Sequence, residues 1–162
     1  MALSRYQKQL VKIAPTIERF TLEKITVHTG LNVFSCAKSD DVLRAINRLH
    51  AQMIRTGGYL TISEGNTEVT AIADATFAPL LQKLLGRRIT HSKPRISALV
   101  IHFPAKYIAI PGMLCMILQQ VMLQGINVLE VASTYTEFVL YIAEDDTRLA
   151  FDTLYRLFDV GG

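Results

Sequence analysis

A segment of the chain, IAIPGMLCMILQQVMLQGINVLEVAS from Ile108 to Ser133, has residue types and spacing suited to binding a small anionic group. Its apolar residues recur at helical spacing after a Pro-Gly pair, which predicts a helix with Pro111 at the first helical position. The start of a helix presents unpaired backbone N–H groups and the positive end of the helix dipole, and both suit a carboxylate. Gly112 would let a ligand approach the backbone, and Met113 would supply a further N–H.

The residues that follow this helix extend the candidate site. Asn127 can offer an amide to an amino or carboxylate group, and Val128 and Leu129 can contribute backbone groups. We therefore take these three residues and the corner Ile110–Met113 as candidate ligand-binding residues. A plainer interpretation stays open, in which the Pro-Gly pair only begins a helix and Gly125 only ends it.

The corner lies in one of two similar parts of the chain, and this repeat is the most informative pattern in the sequence. In each copy a strand is followed by a helix, two strands joined by a turn, and a second helix. In the first copy these elements are LNVFSCA, the helix from Ser39, YLTIS, TEVTAIA and the helix of about Ala75–Leu85. In the second they are ISALVIHF, the helix at the Pro-Gly pair, INVLEVAS, TEFVLYIA and EDDTRLAFDTLYRLF. We predict two α+β units, residues 31–90 and 95–158.

Each copy lacks one strand of a complete βαββαβ unit, while a strand before the first copy is spare. This strand, residues 21–29 in FTLEKITVHT, is separated from LNVFSCA at Gly30. We expect it to complete the second unit, and ISALVIHF or a neighbouring part of the linker to close the first. ISALVIHF is apolar in both alternating phases, so both of its faces should be covered: helices cover one, and the other face or the sheet edge needs the sister unit or a second chain. Residues 1–20 should form a peripheral helix.

Apolar spacing also predicts which side of two helices is buried. In the first copy the inward residues are Val42, Leu43, Ile46, Leu49 and Met53. In the helix at the Pro-Gly pair they are Leu114, Ile117, Leu118, Val121 and Met122.

Composition and charge argue against nucleic acid and membranes as partners. The net charge is +3, but acidic residues are interleaved with basic ones, and we interpret the one basic cluster, Gly86–Arg95, as a solvated linker. The longest apolar run, Met113–Leu123, is far shorter than the roughly 20 residues that span a bilayer. The first residues do not look like a signal peptide, and the two cysteines are too few for a disulfide framework, so we expect a cytoplasmic protein.

The sequence offers no convincing catalytic or metal-binding set. The histidines and cysteines lack the spacing typical of a metal site: His28, His50, His91, His102, Cys36 and Cys115. No Ser-His-Asp set and no Gly-rich phosphate loop can be named. We therefore predict no metal, no cofactor and no enzymatic activity, and a small enzyme on this scaffold is the least favoured alternative.

The second copy resembles the ACT domain, a βαββαβ ligand-binding module that regulates amino-acid metabolism, through AIPGMLCMILQQVMLQGINVLEVAS and TEFVLYIAEDDTRLAFDTLYRLF. It is most similar to the paired regulatory ACT domains at the C-terminal end of aspartokinases, in which a strand from before the first unit completes the second. The resemblance is strongest over Ile96–Phe158, and Leu31–Gly86 matches mainly in element order. It implies an α+β fold of two interleaved ferredoxin-like ACT units, each an antiparallel sheet with helices on one face.

The resemblance also implies a function. It indicates a non-catalytic regulatory protein that binds a small amino-acid effector at the strand–helix corner and transmits its occupancy through a unit or subunit interface. The implied partners are a second copy of the chain and an amino-acid biosynthetic enzyme, because 162 residues leave no room for the kinase domain of aspartokinases.

The corner of the first copy departs from the family pattern, since it reads AKSDD in place of Pro-Gly. If this corner binds a ligand, Asp40 would pair with an ammonium group and Ser39 would donate a hydrogen bond. The alternative is an ordinary helix cap flanked by solvated charge. This departure favours a second function, an assembly module that keeps the ACT fold and has lost ligand binding.

Overall fold

Eight strands and four α-helices make up the part of the chain that the computed structural model describes, residues 20–160, with the side chains of residues 159 and 160 left aside. The strands are β1 (Thr21–Leu22), β2 (Lys24–Ala37), β3 (Leu60–Glu64), β4 (Glu68–Asp74), β5 (Ile89–His102), β6 (Val128–Ser133), β7 (Glu137–Ala143) and β8 (Asp159–Val160). The helices are α1 (Asp40–Thr56), α2 (Ala78–Leu85), α3 (Met113–Leu123) and α4 (Thr147–Leu157). The peripheral helix predicted within residues 1–20 lies outside the described residues.

The chain divides into two compact units. The central unit is His28–Ala98, and the split unit combines residues 20–27 with residues 99–160 of the described part. The strands β2 and β5 each contribute residues to both units, because the division falls inside them. Each unit has the helix and strand order of a ferredoxin-like fold, so the predicted α+β class is confirmed.

The central unit places α1 and α2 against one sheet. Its strands follow the order β3, β4, β2, β5, and β2 pairs antiparallel with β4 from Leu31 opposite Asp74 to Ala37 opposite Glu68. The helix α1 buries the predicted face, with Leu43 only partly buried: Val42, Ile46, Leu49 and Met53. Its end is fixed by Gly57, whose backbone N–H donates to Met53 O at 2.9 Å.

The split unit carries the corner at the Pro-Gly pair. Its strands follow the order β2, β5, β7, β6, with β6 at the edge of the sheet. The strand β6 pairs antiparallel with β7, from Val128 opposite Ile142 to Ser133 opposite Phe138, with a bulge between Val128 and Glu130. The strand β1 pairs in parallel with β8. The helices α3 and α4 share one apolar core with the sheet, including Leu99, Ile101, Ile117, Leu140, Ala150 and Leu154.

Two predicted strand boundaries are wrong. The strand β2 runs without interruption from Lys24 to Ala37, because Gly30 adopts a φ of +69° that lets the strand continue through an irregular position. The predicted basic linker is mostly strand, since β5 begins at Ile89. The side chains of residues 90–95 are exposed, but backbone pairing does not require apolar side chains, and the Thr90 hydroxyl donates to Ser35 O at 2.9 Å.

The predicted inward face of α3 is also partly wrong. Leu114 and Met122 are 39% and 63% exposed, whereas Met113, Ile117 and Val121 are buried. Because α3 is apolar on nearly every side, spacing alone does not single out one face. In β5, by contrast, all six residues from Ile96 to Ile101 are buried, which confirms that both faces of this stretch are covered.

None of the helices within residues 20–160 is both long and apolar enough to cross a membrane.

Candidate functional site

A cavity of about 400 Å³ opens in the split unit where β5 ends and α3 begins. Nine of its lining residues lie between Phe103 and Cys115, and the other three lie at the end of β6 and in the turn that follows it: Ser133, Thr134 and Tyr135. A backbone hydrogen bond joins these segments, because the Phe103 N–H donates to Thr136 O at 3.0 Å, and the Thr134 N–H closes the turn by donating to Glu137 O at 3.0 Å. The cavity is therefore built from the residues between β5 and the start of α3 and from the residues at the end of β6.

The start of α3 faces this cavity. Gly112 is the residue before the helix and has a φ of +104°, a left-handed value that glycine adopts readily. Its carbonyl accepts the first helical bond, from the Met116 N–H at 2.9 Å. Pro111 lies in the turn before Gly112, so its predicted place at the first helical position is wrong. Met113 and Leu114 thus carry the first N–H groups of the helix, for which an α-helix provides no backbone acceptor.

Tyr107 forms a fixed wall of the cavity. It is buried, the Thr21 N–H donates to its phenol oxygen at 3.0 Å, and the Thr21 hydroxyl lies 2.9 Å from the same oxygen. The ring of Phe20 meets the Tyr107 ring edge-on at 5.0 Å, and Lys106 Nζ lies 5.0 Å from the ring centre. Burial raises the pKa of the phenol, but the hydrogen bonds with Thr21 and the charge of Lys106 outweigh it and lower the pKa below its ordinary value.

Polar contacts to Glu137 stabilise the turn between β6 and β7. The Thr134 hydroxyl donates to Glu137 Oε2 at 3.4 Å, and His102 Nδ1 lies 3.3 Å from Glu137 Oε1. Both carboxylate oxygens of Glu137 therefore have partners within the split unit. Among the described residues, no three His, Cys, Asp or Glu side chains gather in a way that could hold a metal ion.

The structure brings together four of the candidate residues and separates three others from them. Ile110, Pro111, Gly112 and Met113 all line the cavity. The segment Asn127–Leu129 does not line it, because it follows the opposite end of α3. A helix of 11 residues is roughly 16 Å long, so Asn127 and Gly112 of one chain lie at different ends of the unit.

Sequence reasoning missed Tyr107 and the turn Ser133–Tyr135. A signal for the turn was present, because two strands joined through a helix run parallel, and the end of the second strand then lies at the edge where the helix begins. Tyr107 had no such signal. Its role depends on a partner 86 positions away, Thr21, which spacing does not reveal.

The corner of the central unit has the features of a helix cap. The Ser39 oxygen accepts from the Val42 N–H at 3.4 Å, and Asp40 is exposed in the first turn of α1. Lys38 Nζ lies 2.7 Å from Glu64 Oε1. These contacts satisfy the corner without a ligand, and the binding roles predicted for Ser39 and Asp40 remain predictions.

Charge next to this corner is also paired. Asp41 Oδ1 lies 2.5 Å from Arg44 Nη2, and Asp41 Oδ2 lies 3.3 Å from Arg88 Nη2. The hydrogen bond from Arg44, followed by the charges of Arg44 and Arg88, lowers the pKa of the Asp41 carboxyl. The acidic side chain beside the corner is thus bound to arginines of its own unit.

Comparison with known proteins identifies the architecture. No known family model and no curated protein matches the sequence. Solved structures do match: the ligand-free regulatory subunit of aspartate kinase from Thermus thermophilus has a TM-score of 0.65 at 14% identity, over 86% of this chain and 99% of that one. The chain therefore has the fold of that subunit, two paired ferredoxin-like units.

Further solved structures share the same fold. The structure of aspartokinase alpha and beta subunits has a TM-score of 0.66 at 11% identity, over 86% of this chain and all of that one. Aspartate kinase from Clostridium acetobutylicum has a TM-score of 0.69 at 10% identity, and the match covers 85% of this chain but 35% of that enzyme. The resemblance to aspartate kinase regulatory subunits and domains that the sequence indicated is thus confirmed at the level of the fold.

Proposed function

We propose that the chain is a non-catalytic regulatory ACT-domain protein that binds a small amino acid in the cavity at Gly112 and passes this occupancy to a partner. The observation that carries the proposal is the cavity itself, which joins the first turn of α3 to the turn after β6. Its position at a helix start suits an α-carboxylate, and the fold is that of regulatory subunits.

The ligand would be held mainly by backbone groups. Its carboxylate would accept from the N–H groups of Met113 and Leu114, with Gly112 leaving the approach open. Its ammonium group would donate to the hydroxyl or carbonyl oxygens of Ser133 and Thr134 across the cavity. Ile110 and Pro111 would form the side of the cavity before the helix.

A second copy of the chain would bring Asn127–Leu129 to the site. The strand β6 is an edge strand, and antiparallel pairing with the same strand of another copy would satisfy its free backbone groups. If the two-fold axis passes beside Val131, so that Val131 of each copy lies opposite Val131 of the other, Asn127 of the partner subunit lies opposite Tyr135, which lines the cavity. The exposed apolar side chain of Val131, on β6 itself, supports an interface at this strand.

Such a dimer would couple ligand binding to the arrangement of the two copies. An effector regulates only if it binds one arrangement more tightly than another, and a ligand touched by both copies favours the paired arrangement. We propose that an amino-acid biosynthetic enzyme binds the paired arrangement and is regulated by it. The fold is shared with aspartate kinase regulatory subunits, and that similarity supports the choice.

The alternative is an assembly module that has lost ligand binding. It is favoured by one observation, the self-contained cap at Ser39 in the central unit. A thermal-shift screen of the twenty amino acids at millimolar concentration separates the two functions. The regulatory function predicts that at least one amino acid raises the melting temperature, because a ligand at a hundred times its Kd adds about 2.7 kcal/mol to the free energy of unfolding.

Matched variants complete this test. Gly112→Asp should abolish the thermal shift by placing a carboxylate at the helix start, whereas Gly65→Asp, in the turn before β4, should keep it. If no amino acid shifts the wild-type protein and its self-association persists, the assembly function is the correct one.

A further inference from the structure

The walls of the cavity are apolar over most of their extent. Phe103, Tyr107 and Met113 are buried in the split unit, and Ile108 and Leu114 lie at the more exposed rim. Among the described residues that line the cavity, none carries a formal charge. The side chain of a bound amino acid would therefore meet aromatic and aliphatic groups.

The charged groups beside the cavity do not change this picture. The carboxylate of Glu137 is engaged by His102 and Thr134, and the ammonium group of Lys106 lies over the Tyr107 ring at 5.0 Å. A ligand ammonium group in a side chain would thus enter without a carboxylate to pair with. Burying an unpaired charge is strongly unfavourable. A side-chain carboxylate would also lack a cradle, because the helix start is occupied by the α-carboxylate.

We infer that the cavity selects an amino acid with an uncharged apolar side chain of about leucine to phenylalanine size. This inference rests on the proposed function and specifies its effector class. A volume of about 400 Å³ lies within the range of sites that enclose small ligands. The segment Asn127–Leu129, which a second copy would add, is uncharged as well.

Calorimetric titration of the full chain with leucine, phenylalanine, alanine, lysine and aspartate tests the inference. Leucine or phenylalanine should bind at least about tenfold more tightly than alanine, because each methylene buried in an apolar pocket is worth about tenfold or more. Lysine and aspartate should bind more weakly than leucine by a similar factor or not at all.

A charge placed on the rim should reverse the preference. Ile108→Asp should weaken leucine binding and strengthen lysine binding, and Leu149→Asp is the matched control, because these two residues are 45% and 46% exposed and Leu149 does not line the cavity. Tighter binding of lysine or aspartate than of leucine to the wild-type protein overturns the inference and leaves the proposed function intact. If none of the five amino acids binds, the inference fails. The proposed function then survives only if another amino acid raises the melting temperature in the thermal-shift screen.

Discussion

The phenol oxygen of Tyr107 lies 3.0 Å from the backbone nitrogen of Thr21 and 2.9 Å from the Thr21 hydroxyl, although 86 positions separate the two residues. Thr21 belongs to β1, which pairs with β8 through Asp159. Through Thr21, the Tyr107 wall of the cavity is therefore attached to β1 and β8, the first and last strands of the split unit. Tyr107 is thus positioned by contacts that the cavity residues themselves do not supply.

Removing this phenol should destabilise the protein. Tyr107→Phe leaves a partly buried Thr21 N–H without its acceptor, and such a loss costs about 1–2 kcal/mol of the free energy of unfolding. Urea unfolding measures the change. Tyr135→Phe is the control, since Tyr135 is 73% exposed, and it should stay within about 0.5 kcal/mol of wild type. Equal stability of the two variants would contradict the assigned role of Tyr107.

The backbone at Gly112 should not tolerate a side chain. Gly112→Ala forces alanine into a φ of +104°, which costs about 1–3 kcal/mol, and it should also weaken any binding at the start of α3. Gly65→Ala is the comparison, because a Cβ there meets Glu68 O at 3.4 Å and the backbone φ is not in the left-handed range. Urea unfolding should show no more than a small change for Gly65→Ala, and a similarly small change for Gly112→Ala would argue against the geometry at the helix start.

The two cysteines should differ sharply in reactivity. Cys115 is exposed and lines the cavity, whereas Cys36 is buried, and burial raises the pKa of its thiol more than the charge of Arg88 lowers it. A maleimide reagent should therefore modify Cys115 in the native protein and both cysteines after unfolding, as read by mass spectrometry. A bound amino acid should slow the reaction at Cys115. Faster native labelling of Cys36 would refute this assignment.

The proposed dimer depends on the edge strand β6. Light scattering should give about twice the 18.1 kDa of one chain for the wild-type protein. Val131→Lys should shift the mass toward one chain, because it places like charges at a two-fold interface. Ile54→Lys, at a residue 70% exposed on α1, should leave the dimer unchanged. A wild-type mass of one chain at every concentration would exclude this dimer.

The sequence predicted those elements for which local and global signals agree. The helix α1 has a serine cap, acidic residues in its first turn, a regular apolar face and a terminal glycine, and its buried residues are largely the predicted ones. The hairpins and the repeated element order followed from alternation and turn residues in the same way. Local chemistry was sufficient in these places because tertiary packing reinforced it.

Other features depend on packing that spacing does not encode. Gly30 looked like a boundary, yet pairing carries β2 through it, and the polar residues after Ile89 are strand because the neighbouring β2 supplies their hydrogen bonds. The face of α3 was misassigned because the helix has almost no polar side. The corner Ile110–Met113 could be predicted from helix chemistry. Tyr107 could not, because its position in the cavity wall depends on a hydrogen bond with the distant Thr21.

The central claim is that an amino acid binds in the cavity at Gly112, and the most direct test is a crystal structure of the full chain grown with a saturating mixture of amino acids. We expect density for one amino acid whose carboxylate lies within hydrogen-bond distance of the Met113 and Leu114 nitrogens and whose side chain contacts Tyr107. An empty cavity at these concentrations, or an amino acid bound only elsewhere, would contradict the claim.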